Sequence, residues 1–180
     1  MVWVPWIATE NENASSEEIK NLYNKTRNPL SGKISDLTRI TSLTPEVAEN
    51  IDTLGSAVYR NATGFTAREK EIIALVTSSF IGCVHWTASH IEALGRAAKN
   101  PEFAKQVAED YTKADLSKRE KLMADFAVKI TRSPDACCAN DIQQLKGNGF
   151  SDRDILCLVE IVAYQNMSTR IMESLSTIDE

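Results

Sequence analysis

Histidine is nearly missing from this chain, with two in 180 residues, so imidazole chemistry has only two places to reside. A basic surplus is missing as well. Twenty Lys and Arg stand against 25 Asp and Glu, for a net charge of −5. Phosphate neutralisation needs a concentrated basic face, which argues against a nucleic-acid binder. No apolar run approaches the ~20 residues needed to cross a bilayer. The opening Met1-Val2-Trp3-Val4-Pro5-Trp6 lacks the basic region and long apolar core of an export signal. Four cysteines without such a signal predict reduced thiols and a cytoplasmic location. Low-complexity segments, tandem repeats and alternating strand patterns are also lacking.

What is present is a globular composition, 43% hydrophobic and 25% charged. It predicts one domain over residues 1–180, with an N-terminal arm and helices in 1–43 and a helical core in 44–180. Helix starts recur along it. Ser15…Glu18, Thr66…Glu69, Ser117…Glu120 and Ser151…Asp154 each pair a capping oxygen with an acid three residues on. Thr44-Pro45 and Asn100-Pro101 place proline where its missing N–H costs nothing, and Gly147 and Gly149 mark helix ends. Helices are expected near 16–26, 33–42, 45–61, 67–81, 83–98, 102–111, 118–132, 140–147 and 152–175, and the fold class is all-α. Ile72 to Val76 reads as a buried helix, because a capping box precedes it and the pattern continues to Phe80. The helix at 152–175 is apolar around most of its circumference, which makes it central or a subunit contact. The charged runs Arg68-Glu69-Lys70-Glu71 and Lys118-Arg119-Glu120-Lys121 read as solvated helix faces.

Both histidines fall in Cys83-Val84-His85-Trp86-Thr87-Ala88-Ser89-His90, with Glu71 twelve positions before Cys83. At about 100° per residue, Cys83 and His90 project within roughly 20° of each other, with Trp86 between them. His85 points nearly the opposite way. Gly82 permits a sharp turn that would fold the helix carrying Glu71 back toward His90. A cysteine at a helix N-terminus faces unsatisfied N–H groups that lower a thiol pKa; the alternative is a small buried hydrophobe. His90 reads as a general acid/base with Glu71 fixing its tautomer, or as a structural imidazole. A Glu followed by Ile72 and Ile73 enters the core and needs a partner. Trp86 is a pocket wall or core packing, and His85 a surface or interface residue as readily as a substrate contact. His85 and His90, five apart, diverge on a helix, which weighs against a metal. Cys137-Cys138 reads as structural or incidental, and Cys157 as core. Asn166 and Arg170, four apart, read as a paired network ahead of an anion site.

Arg68-Glu69-Lys70-Glu71, then Gly82-Cys83, then His90, resembles the signature of the alkyl hydroperoxidase D (AhpD) / carboxymuconolactone decarboxylase superfamily. The nearest branch is its peroxidase-related group. Trp3-Val4-Pro5, Ser42-Leu43-Thr44-Pro45, Gly149-Phe150-Ser151-Asp152 and Asn166…Arg170 extend the resemblance over nearly the whole chain. It implies a compact multi-helix fold that assembles into homo-oligomers. It also implies a proton relay through Glu71, Cys83 and His90. Family members with a dithiol carry CxxC, and the second cysteine attacks peroxide. Here Trp86 holds that position, so the disulfide cycle of the family is disabled.

Three functions follow. The first is an enzyme using the Glu71-Cys83-His90 relay on a small organic substrate, with Trp86 and His85 as substrate contacts. The second is a one-cysteine hydroperoxide reductase using Cys83 and an external thiol. The third is a catalytically silent ligand-binding or structural oligomer. The expected partners are a small-molecule substrate and further copies of the chain, with no nucleic acid, membrane, metal or cofactor.

Overall fold

A computed structural model describes residues 2–13 and 16–179. Among these residues the chain forms β1 (Val2–Pro5), α1 (Glu17–Thr26), α2 (Asp36–Ile40), α3 (Pro45–Asn61), α4 (Ala67–Ile81) and α5 (Val84–Ala98). It continues through α6 (Pro101–Asp110), α7 (Lys118–Arg132), a 3-10 turn at Pro134–Ala136, α8 (Ala139–Gly147), α9 (Asp152–Leu175) and β2 (Ser176–Asp179). The molecule is nearly all-α. The exception is the antiparallel ribbon β1–β2, in register Val2↔Asp179 through Pro5↔Ser176. Four residues per strand are too few to show a period, and the pairing joins opposite ends of the chain. No local pattern announces it.

Helix α4 is the axis. Ile72, Ile73, Ala74, Leu75 and Val76 are all buried, and the helix packs on α5, α6, α7 and α9. An apolar run with no solvated side is stable as a helix only at such a centre. Helix α9 is also central, packing on α3, α4 and α7. No helix among the described residues is long and apolar enough to cross a membrane.

The expected capping boxes of α4, α7 and α9 form, at Thr66/Glu69, Ser117/Glu120 and Ser151/Asp154. The Ser15…Glu18 pair involves Ser15, which lies outside the described residues. Helix α8 carries an unexpected cap, in which the Asp141 carboxylate accepts the Cys138 N–H at 2.8 Å. The expected helix at 33–42 shrinks to five residues. Ser35 accepts the Thr38 N–H and sets a late start. Before it, the Asn28 carboxamide oxygen accepts the N–H groups of Leu30 and Ser31, and Gly32 takes φ +69°. These local bonds hold a turn where a helix would otherwise begin.

The two charged runs are solvated only in part. Thr66-Ala67-Arg68-Glu69 and Ser117-Lys118-Arg119-Glu120 repeat one pattern, and each capping Glu takes an Arg from the other helix. Arg68 Nε donates to Glu120 at 2.6 Å, and Arg119 Nε donates to Glu69 at 2.7 Å. Glu69 and Glu120 are both buried. The guanidinium of Arg68 lies 4.0 Å from the Phe103 ring centroid and that of Arg119 3.9 Å from that of Phe150. Each acid therefore satisfies its own helix end and ties the neighbouring helix, a use that charge alternation in the sequence does not reveal.

This clamp predicts acid sensitivity. Desolvation opposes ionisation of Glu120, but Arg68 and the Ser117 N–H and hydroxyl outweigh it and hold the carboxyl below 4.5. A carboxylate depressed by folding contributes its stability above the unfolded value and loses it as pH falls through the folded value. The Tm of the wild type should therefore fall as pH drops below about 4.5, and the profile of Glu120→Gln should be flatter there. Thermal unfolding monitored by circular dichroism across that range checks it.

Candidate active site

Glycine 82 makes the site possible. Its φ of +84° ends α4 in the left-handed region, where a side chain would be strained. The N–H groups of Gly82 and Cys83 both return to the Ser78 carbonyl at 3.1 Å. The chain then reverses into α5, which packs along α4. Glu71 and His90 meet as a result, with Nδ1 of His90 at 2.8 Å from Glu71 Oε2.

The contact extends to two residues that sequence reasoning missed. Nε2 of His90 lies 3.1 Å from the Gln165 amide nitrogen, which donates to the Tyr59 hydroxyl oxygen at 2.6 Å. One proton arrangement satisfies the whole chain. A carboxylate only accepts, so Nδ1 of His90 carries the proton. Nε2 is then an acceptor for one amide hydrogen of Gln165, and the second goes to Tyr59. The Tyr59 hydroxyl hydrogen remains available to a ligand. Burial pushes the Tyr59 phenol well above its ordinary value, so it stays a donor at neutral pH. Helices α3, α4, α5 and α9 contribute one residue each.

These groups line a cavity of about 310 Å³, a volume suited to a small organic molecule. Its walls include Trp86, whose ring stacks on His90 with centroids 5.7 Å apart and planes inclined by 26°. Tyr164 and Asp52 also line it. Tyr164 is seated in a notch left by Gly55, where an added Cβ would lie 2.3 Å from the phenol oxygen. Burial, aided by Asp52, pushes the Tyr164 phenol up to about 12. Asp52, raised by its own burial, has no hydrogen-bond or ion-pair partner among the described residues.

Cys83 is placed elsewhere. It caps α5 from outside the helix rather than starting its face. It is fully buried in a cluster with Leu37, Ile40, Ile51 and Met172, against Trp86, and is not among the residues lining the cavity. Desolvation pushes the thiol up to about 11, with Glu173 adding to the rise. The N–H groups of Trp86 and His85 pull it down as the sequence predicts for a helix start, but burial wins.

His85 meets the edge of Trp86, with centroids 5.2 Å apart, and lines a separate groove of about 630 Å³ on the other side of that indole. Its Nε2 is 3.9 Å from Asp36 and its Nδ1 has no partner among the described residues. Burial lowers its pKa. Arg170 is exposed and bonds to Asn166, which in turn donates to Thr131 at 2.9 Å. That pair is a structural tie outside the cavity.

Asp52, Ser56 and Tyr59 stand at i, i+4 and i+7 on α3, so their shared face was legible as helix spacing. Gln165 offered a weaker signal, an amide beside Asn166 in a largely apolar helix.

With this geometry in hand, comparison with solved structures decides the architecture. An uncharacterized peroxidase-related protein with an alkylhydroperoxidase AhpD core, from Ralstonia eutropha JMP134, superposes with a TM-score of 0.86. It is 24% identical, and the match covers 96% of this chain and 90% of that one. The chain has the AhpD-type fold. A second peroxidase-related protein with this fold, from Silicibacter sp. TM1040, matches at 23% identity with a TM-score of 0.78, covering 94% and 88%. The debrominase Bmp8 matches at 16% identity and 0.77, covering 96% and 92%, and a cysteine-to-alanine form of it has been crystallised with 2,3,4-tribromopyrrole. No protein-family model and no curated protein matches the chain.

Proposed function

We propose that this AhpD-type protein is an enzyme of proton transfer, in which Glu71 is the base and His90 its partner. The observation that carries the reading is the 2.8 Å contact between Glu71 Oε2 and His90 Nδ1 at the wall of the cavity. That contact leaves Oε1 of Glu71 without a protein partner among the described residues. Glu71 takes a proton from a carbon next to a carbonyl, and the C–H electrons move onto the carbonyl oxygen. The Tyr59 hydroxyl donates to that oxyanion, and the proton returns to the same or a neighbouring atom. No electrons leave the substrate, so the step suits a lyase or an isomerase.

Of the residues expected in the relay, Glu71 and His90 carry the reaction and Trp86 shapes the cavity. Cys83 acts through packing beneath Trp86, and His85 supports that indole from the adjoining groove. Hydroperoxide reduction through Cys83 draws support from the peroxidase-related neighbours, yet a buried thiol raised to about 11 is a poor nucleophile. The debrominase neighbour supports the size of the substrate, since one protein of this fold accommodates a small heteroaromatic ring.

The test is deuterium uptake from D2O by acetone, cyclohexanone and acetophenone, followed by NMR. Exchange above the solvent rate is expected with wild type and Cys83→Ala, and not with Glu71→Gln. Exchange that survives Glu71→Gln, or is missing from the wild type with all three ketones, would overturn the reading.

A further inference from the structure

The charge of the cavity is one-sided. Its ionisable acids are Asp52 and Glu71, and no lysine or arginine lines it among the described residues. The nearby cations are committed elsewhere. Arg68 and Arg119 hold the capping acids, Lys70 donates to the Tyr59 carbonyl, and Arg39 pairs with Glu12. Glu71 has His90, but Asp52 faces the cavity without a partner. A carboxylate that is half-buried and unpaired is held at a cost that an incoming cation offsets. Around it stand the rings of Tyr59, Tyr164 and Trp86, whose faces attract cations and exclude nothing apolar.

We infer that the cavity selects small organic cations, protonated amines with a compact or aromatic body, and that Asp52 is the residue that recognises their charge. The inference rests on the reading above only in placing the substrate in this cavity. The ammonium sits against Asp52, the body lies among the three aromatic rings, and the reacting carbon is presented to Glu71. A substrate carrying a carboxylate meets two like charges and no compensating donor cation, so anionic analogues are rejected as well as cations accepted.

Isothermal titration calorimetry with benzylamine, benzyl alcohol and benzoate tests this, because the three share a body and differ in charge. Wild type should bind benzylamine at least about tenfold more tightly than benzyl alcohol, and benzoate more weakly than either. In Asp52→Asn the advantage of benzylamine should shrink to about twofold or less. That substitution keeps the side-chain shape and breaks no intramolecular bond, and a superimposable amide NMR spectrum outside the cavity confirms the fold. The inference is overturned if benzylamine does not bind, if benzoate or benzyl alcohol binds as tightly, or if the preference survives Asp52→Asn. The two readings fail separately. Loss of amine selectivity leaves Glu71-dependent exchange of the neutral ketones intact, and absence of that exchange leaves the amine preference in place.

Discussion

Cys83 in the folded protein should alkylate with iodoacetamide at pH 8 at least about a hundredfold more slowly than Cys138. Thiolate is the reactive form, and an ordinary thiol titrates near 8.5. Burial puts Cys83 at about 11, which alone removes about two orders of magnitude of thiolate at that pH. Cys138 is exposed, so steric access widens the gap. Peptide mass spectrometry separates Cys83 from Cys137, Cys138 and Cys157. The sign of the linked stability follows. A thiol raised by folding contributes its full stabilisation below its unfolded value and loses it as pH rises through about 11. Wild type should therefore lose more Tm than Cys83→Ala across that alkaline window. Alkylation of Cys83 as fast as Cys138 would show an activated thiolate and put hydroperoxide reduction ahead of proton transfer.

Glu71→Gln should lower kcat for any accepted substrate by about 10²–10⁴, the usual contribution of a positioned general base. The glutamine keeps a hydrogen-bond acceptor for His90 but cannot take a proton, so KM should change much less than kcat. A fall in both together would point to a binding role for Glu71. Cys83→Ala is expected to leave kcat within a few-fold of wild type, because Cys83 lies behind Trp86 and outside the cavity lining. The contrast between these two variants separates proton transfer from thiol chemistry in one set of assays.

The helices of this fold were legible because their ends are marked. Thr66, Ser117 and Ser151 cap where the spacing to an acid three residues on says they should, and the capping box before Ile72 to Val76 marks that buried apolar run as helix rather than strand. The Glu71–His90 contact was also within reach, since Gly82 gives the turn that brings the two helices back on each other. The β1–β2 ribbon was not, because its four-residue strands pair ends of the chain with no local signal. Nor was the fate of Cys83. A helical projection puts it on the His90 face, whereas the helix starts one residue later and the thiol turns into the cluster around Met172. Asp52 and Tyr59 were not legible as site residues, because helix spacing shows that they share a face of α3 but not that this face lines a cavity. The acids of the two charged runs misled for a related reason, since only the assembled α4–α7 pair shows that Glu69 and Glu120 are exchanged partners.

In the proton-transfer reading, Glu71 fixes His90 as a donor through Nδ1 and an acceptor through Nε2. With only two histidines in the chain, a long-range ¹H–¹⁵N spectrum at neutral pH reads both rings directly, and a His85→Gln variant assigns them. A proton on Nδ1 of His90 and a bare Nε2 are expected, with this bias weakened in Glu71→Gln. A proton on Nε2 of His90, or a tautomer indifferent to Glu71, would contradict that reading.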